Sequence, residues 1–108
     1  MILIAHRGNY NKIDIARENT IPYLYEAIEK GFDVEVDIWK TSQGYMLGHD
    51  NPTHEISIKP ISEISSFAWF HAKNYLALHS LVIDGYHVFA HDQDLWALTS
   101  KNIIWSHK

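Results

Sequence analysis

Ile2-Leu3-Ile4-Ala5-His6-Arg7-Gly8 and Val34-Glu35-Val36-Asp37-Ile38 are the two stretches on which the reading of the fold turns. The first is a short, continuous apolar run that ends on a histidine and an arginine, the pattern of a buried strand. The second alternates, so Val34, Val36 and Ile38 share one face while Glu35 and Asp37 share the other. Between them, Thr20 or Asn19 is placed to cap a helix. Pro22 falls in its first turn, Ile21, Leu24 and Ile28 follow at helical spacing, and Gly31 is the stop. Strand, helix and strand in that order predict parallel βαβ units, whose strand ends carry the chemistry of α/β enzymes. Two carboxylates on one face of an apolar strand repel each other unless a cation sits between them. Glu35-x-Asp37 therefore points to a divalent metal.

The rest of the chain is read outward from there. The second strand spans Phe32 to Lys40; Ser42-Gln43-Gly44 is a turn, and Tyr45 to His49 return as a short antiparallel arm. Asn51 to Ser66 reads as irregular, broken by Pro52 and Pro60. Phe67 to Lys73 is a third strand with Trp69, His71 and Lys73 on one face. Asn74 caps a helix through Leu76, Leu78, Leu81 and Val82, which Asp84-Gly85 ends. His87 to His91 is a fourth strand, Leu95 to Leu98 a turn or short helix, and Ile103-Ile104-Trp105 a short fifth strand. Polar groups recur at the C-terminal strand ends: His6, then Glu35 and Asp37, then His71 and Lys73, then His91.

Bulk composition narrows the function classes. The 108 residues suit a single domain, and a hydrophobic share of 46% fits a folded chain. A formal charge of −4 without a basic cluster disfavours nucleic acid. Cysteine is absent, which leaves oxygen and imidazole as metal donors. The chain carries eight histidines, whose charge changes across mildly acidic pH. It has neither an apolar run of membrane-spanning length nor a basic stretch ahead of an apolar one. The expectation is a cytoplasmic protein without a membrane span.

His6-Arg7-Gly8, Glu18-Asn19-Thr20, Glu35-x-Asp37, Thr41 to Gly44 and His49-Asp50 resemble, in order and spacing, the N-terminal part of the glycerophosphodiester phosphodiesterases. The resemblance covers Ile2 to Asp50 and extends more weakly through His71-x-Lys73. It implies metal-dependent hydrolysis of small glycerophosphodiesters on a TIM-type barrel. It also implies that His6 and His49 form an acid–base pair, one activating the attacking oxygen and one protonating the leaving alkoxide. Arg7 and Lys73 would bind the substrate phosphate. Glu35 and Asp37 would hold Mg²⁺ or Ca²⁺, joined by His71, and Glu18 would orient Arg7 or the metal shell.

One position departs from the family pattern: His71 stands where a third carboxylate is usual. Imidazole serves Mg²⁺ or Ca²⁺ poorly and Mn²⁺ or Zn²⁺ better. Plainer readings stand beside these. His6-Arg7 can be a polar strand end, His49-Asp50 a turn pair, and His71 a hydrogen-bonded strand histidine. His54, His79, His87 and His107 read as structural or exposed. The four tryptophans read as core or rim, with Trp69 the one to watch beside His71.

A complete barrel of this type takes about 250 residues. The expectation is therefore an incomplete, half TIM-type barrel of parallel βα units with about five strands, which self-associates into a homo-oligomer to bury its open edges. The alternatives to hydrolysis are a non-catalytic metal- or phosphate-binding module and a phosphodiester lyase using the same two histidines.

Overall fold

A computed structural model describes residues 2–90, 96–101 and 103–106. The elements run β1 (Ile4–His6), α1 (Ile21–Glu29), β2 (Asp33–Thr41), β3 (Gly44–Leu47), β4 (His54–Ile56), α2 (Ile58–Ile64), β5 (Ala68–Ala72), α3 (Tyr75–Ile83), β6 (Val88–Phe89), β7 (Trp96–Leu98) and β8 (Ile104–Ser106).

β2 organises the main sheet because three strands pair with it. One edge is shared: β1 runs parallel to its first residues (His6 beside Glu35), and β3 runs antiparallel to its last (Trp39 beside Met46). The other edge takes β5 in parallel, with Glu35 beside Trp69 and Asp37 beside His71. β6 continues the sheet parallel to β5, and β4 extends it antiparallel to β3. β7 and β8 form a separate antiparallel pair.

This corrects the fold expected from sequence. The sheet is open and mixed, and it is not an incomplete TIM-type barrel built of parallel βα units. The physical reason lies in Gly44 to Ile56. That segment folds back on β2 and occupies the edge beside β1 with antiparallel ladder bonds, where a barrel would continue with parallel units only. The fifth strand is displaced as well: the residues after β6 pair with each other instead of joining the sheet. The free edge of β6 is blunted by Ser100, whose Oγ accepts from Val88 N at 2.8 Å while its N–H donates to Val88 O at 2.7 Å.

Two local expectations also fail. Asn51 to Ser66 is not irregular, since it holds β4 and α2. Pro60 breaks nothing because it sits in the first turn of α2, where the missing N–H has no helical partner to lose. Ile61 and Ile64 then fall one turn apart and are buried. Trp96 to Leu98 is a strand and not a turn or helix, and Leu95 lies outside the described residues.

α1 and α3 form where the caps predict. Thr20 is the N-cap of α1 with Pro22 in the first turn, and Gly31 beyond its C-terminus has φ +92°. The apolar face of the sheet carries Val34, Val36 and Ile38 from β2 and Ala68, Phe70 and Ala72 from β5. It packs with Leu24 and Ala27 of α1, Ile61 and Ile64 of α2, and Ala77 and Leu81 of α3. The opposite face receives the alternate residues, His6, Glu35, Asp37, Trp69 and His71, and so collects the polar groups. No described helix is long and apolar enough to cross a membrane.

Asn74 joins α3 to the end of β2. Its Oδ1 accepts from Ala77 N at 3.0 Å and Lys40 N at 3.1 Å, and its Nδ2 donates to Lys40 O at 2.8 Å. Asn74→Ala should therefore cost about 2 kcal/mol, while Asn74→Asp keeps the cap and costs about half as much. Urea denaturation of the two variants measures the difference; equal losses would mean that the Oδ1 bonds to Ala77 N and Lys40 N contribute nothing.

Candidate metal centre

The middle of the sheet's polar face holds Glu35, Asp37 and His71, all buried. Their nearest donor atoms all lie within 4.8 Å of one another. His71 Nδ1 is 2.9 Å from Asp37 Oδ1 and 3.4 Å from Glu35 Oε2. Sheet geometry sets this arrangement, because His71 is the cross-strand partner of Asp37. The imidazole lies flat against Phe89, ring centroids 4.9 Å apart and planes 7° from parallel.

Asp37 is well satisfied. Its Oδ2 accepts from Asn19 Nδ2 at 3.0 Å and lies 3.3 Å from Arg7 Nε. Its backbone N–H donates to Asn19 Oδ1 at 3.0 Å. Glu35 is not: its Oε1 is buried and accepts no hydrogen bond among the described residues. His6 Nε2 lies 3.5 Å from that oxygen.

The electrostatics follow from these contacts. Burial pushes the Glu35 carboxyl up to about 7, against the hydrogen bond from His71 and with the like charge of Asp37. Burial works in the same direction on Asp37, but the hydrogen bonds from His71 and Asn19 win and hold it at about 2. Burial opposes charge on His71, and the hydrogen bonds to Asp37 and Glu35 more than offset it, so its pKa is raised. Burial and the neighbouring Arg7 charge lower that of His6.

Arg7 links this centre to solvent. Its Nη1 donates to Glu18 Oε1 at 3.1 Å, and Asn9 Nδ2 donates to Glu18 Oε2 at 2.9 Å. Arg7 and Asn19 both have φ near +58°, a left-handed backbone costing roughly 1–2 kcal/mol in a residue with a Cβ. Both are pinned in it: Arg7 N–H donates to Glu35 O at 2.9 Å and Asn19 N–H to Arg7 O at 3.0 Å.

A cleft of about 370 Å³ opens beside them, lined by Arg7, Glu18, Asn19, His49, Asp50 and Thr53 among others. His49 stands on the loop after β3, its Nδ1 2.7 Å from Asp50 Oδ1. Gly48 positions that loop: its N–H donates to Asp37 O at 3.1 Å and its carbonyl accepts from Trp39 Nε1 at 2.7 Å. A Cβ at Gly48 would collide with the Asn51 carbonyl, so only glycine fits there.

The expected site residues therefore fall into three groups. His6, Glu35, Asp37, His71, Arg7 and Glu18 form one continuous network. His49 meets it across the cleft. Lys73 follows β5 with its N–H donating to Ile38 O at 2.8 Å, and its ammonium makes no ion pair among the described residues. Trp69 shares the polar face, but its indole donates to Asp33 Oδ2 at 3.0 Å, at the far end of the strand. His91 and His107 lie outside the described residues.

Asn19, offered by the sequence as a helix cap and as part of the Glu18-Asn19-Thr20 motif, is the residue that fixes Asp37. The signal was available: in Glu18-Asn19-Thr20 either Asn19 or Thr20 could cap, and Thr20 took that place. The stacking role of Phe89 had no signal in sequence.

The donor set fits a divalent cation. Two carboxylates and an imidazole converge, and one Glu35 oxygen beside them is buried without a hydrogen-bond partner among the described residues, so the group could hold such an ion. No protein-family model matches the chain, and neither a curated protein nor a solved structure matches it.

The pKa of Glu35 makes a stability prediction for the metal-free protein. Below the ordinary value of 4.5 the carboxyl is protonated in both folded and unfolded chains. Between 4.5 and about 7 only the unfolded chain ionises, so stability falls as pH rises, and the loss is complete above 7. Glu35→Gln escapes that loss. With chelator present it should be about 1–3 kcal/mol more stable than the parent at pH 8 and little different at pH 4.5. Denaturant melts at the two pH values test this; an equal or negative difference at pH 8 would show that Glu35 ionises without penalty.

Proposed function

We propose that the chain is a metal-dependent phosphodiesterase acting on small glycerophosphodiesters. The observation that carries this reading is the buried Glu35–Asp37–His71 group, set between an exposed histidine and an arginine at the mouth of a polar cleft. The resemblance of His6-Arg7-Gly8, Glu35-x-Asp37 and His49-Asp50 to the glycerophosphodiester phosphodiesterases supports the substrate class.

Glu35, Asp37 and His71 would hold the cation, which would supply neutralising charge to the phosphoryl oxygens. Without it, Glu18, Glu35, Asp37 and Asp50 present a negative field that repels a phosphodiester. Arg7 lines the cleft with Glu18 holding Nη1 and Asp37 facing Nε, which would leave Nη2 to a phosphate oxygen.

His6 is 59% exposed on its side chain, and its lowered pKa keeps the imidazole neutral near pH 7. It would take the proton of an attacking water as the new P–O bond forms. His49, oriented by Asp50, would give a proton to the alkoxide as the old P–O bond breaks. The products are a phosphomonoester and an alcohol. Attack by a neighbouring glycerol hydroxyl would give a cyclic phosphate instead, and products separate the two. A cleft of about 370 Å³ accommodates a small head group.

A second reading, a non-catalytic module that binds a metal or phosphate, draws on His71, which stands where the resemblance leads one to expect a third carboxylate.

Hydrolysis of a glycerophosphodiester by purified protein, across Mg²⁺, Ca²⁺, Mn²⁺ and Zn²⁺, tests the proposal. Turnover should need a metal, and both His6→Ala and Glu35→Ala should lower it at least 100-fold, in line with losing an acid–base group or the metal. Metal binding without turnover by folded protein would favour the binding module.

A further inference from the structure

The same three residues bear on which cation the site takes. We propose that Glu35, Asp37 and His71 select a first-row transition ion, Zn²⁺ ahead of Mn²⁺, over Mg²⁺ and Ca²⁺. This rests on the metal-centre reading above and deepens it.

Three features of the site support the choice. The first is the donor set. Ca²⁺ takes six to eight oxygens, and Mg²⁺ keeps several waters in near-ideal octahedral geometry. Here the buried group offers two carboxylates and one imidazole, and the imidazole is a donor that Zn²⁺ and its neighbours favour. Three protein donors with a further position open is the pattern of catalytic zinc.

The second is spacing. Donors about 2 Å from one tetrahedral ion stand about 3.3 Å apart. His71 Nδ1 is 3.4 Å from Glu35 Oε2 and 2.9 Å from Asp37 Oδ1, and all three donors lie within 4.8 Å of one another, so the imidazole already stands at a suitable spacing from both carboxylates.

The third is rigidity. His71 is buried, stacked on Phe89 and carried as the fourth residue of a five-residue strand, paired on both sides. Asp37 is held by Asn19 through both its side chain and its backbone. A site that cannot swing more oxygens inward cannot assemble the shell that Ca²⁺ needs. Glu35 Oε1, buried and without a hydrogen-bond acceptor role among the described residues, supplies the independent sign of a missing ion.

The test is titration calorimetry of metal-free protein with ZnCl₂, MnCl₂, MgCl₂ and CaCl₂ in turn, beside His71→Glu and Glu35→Gln. One equivalent of Zn²⁺ should bind at least 100-fold more tightly than Mg²⁺ or Ca²⁺, with Mn²⁺ between. His71→Glu, which makes the donors all oxygen, should narrow that ratio at least tenfold. Glu35→Gln should weaken every metal. Co²⁺ added to the unmodified protein gives a readout that does not depend on a variant folding: an intense visible absorption band marks a four-coordinate nitrogen–oxygen site.

Equal or tighter binding of Mg²⁺ or Ca²⁺ would overturn the selectivity and leave the metal-centre reading intact. Tight Zn²⁺ binding unchanged in both variants would place the ion on other histidines and overturn the proposal. If no metal binds, the metal-centre reading itself fails.

Discussion

Two ionisable carboxylates in the middle of β2 set the terms for everything around them. β2 is the strand that β1, β3 and β5 all pair with, so Glu35 and Asp37 cannot move to solvent without dismantling the sheet. An uncompensated charge in such a place costs several kcal/mol. The molecule meets that cost from three sides: His71 across the strand pair, Asn19 from the loop before α1, and Arg7 at the end of β1. Two of these three adopt left-handed backbone angles to reach their positions. Strain of this kind persists only where the surroundings over-determine it, and here hydrogen bonds to Glu35 O and Arg7 O do so.

The compensation is uneven, and the unevenness is informative. Asp37 is served by Asn19, Arg7 and His71, while Glu35 has one oxygen with no hydrogen bond among the described residues. A fold selected for stability alone would have filled that position or replaced the acid with a hydrophobe. With all three carboxylates ionised and the imidazoles neutral, the form in which the group would offer its donors, Glu18, Glu35, Asp37 and Arg7 carry an excess of two negative charges. One divalent cation balances that excess, whereas an added lysine or arginine would remove only half of it.

Much of the local structure was legible because short-range chemistry decides it. Alternation in Val34 to Ile38 placed the carboxylates on the face away from the helices, and Asn74 and Gly31 marked helix ends that the structure contains. The topology was not legible in the same way. The Ser42-Gln43-Gly44 turn did announce the antiparallel return beside β2, but the further strand His54–Ile56 and the open, mixed sheet that results depend on long-range pairing that individual residues do not display. Pro60 misled for a related reason: a proline signals a break only when its position relative to the helix start is known. At the site, residue types pointed to Glu35, Asp37 and His71. The double hold of Asn19 on Asp37 and the Phe89 stack depend on three-dimensional proximity alone.

The placement of the centre also affects how precisely it can work. Its ligand candidates are carried by the strands β2 and β5, whose relative position is fixed by a continuous parallel ladder from Val34–Ala68 to Ile38–Ala72. Groups on strands are held more exactly than groups on loops. Arg7 and His49, which line the cleft, stand instead on the turns that follow β1 and β3. The polar face thus separates a rigid charge-holding layer on the strands from a cleft lined by turns. Gly48 joins the two, since its N–H binds Asp37 O while its own chain direction sets where His49 stands. Displacing Asp37 would therefore be felt at His49, so the metal candidates and the cleft form one unit through the backbone as well as through charge.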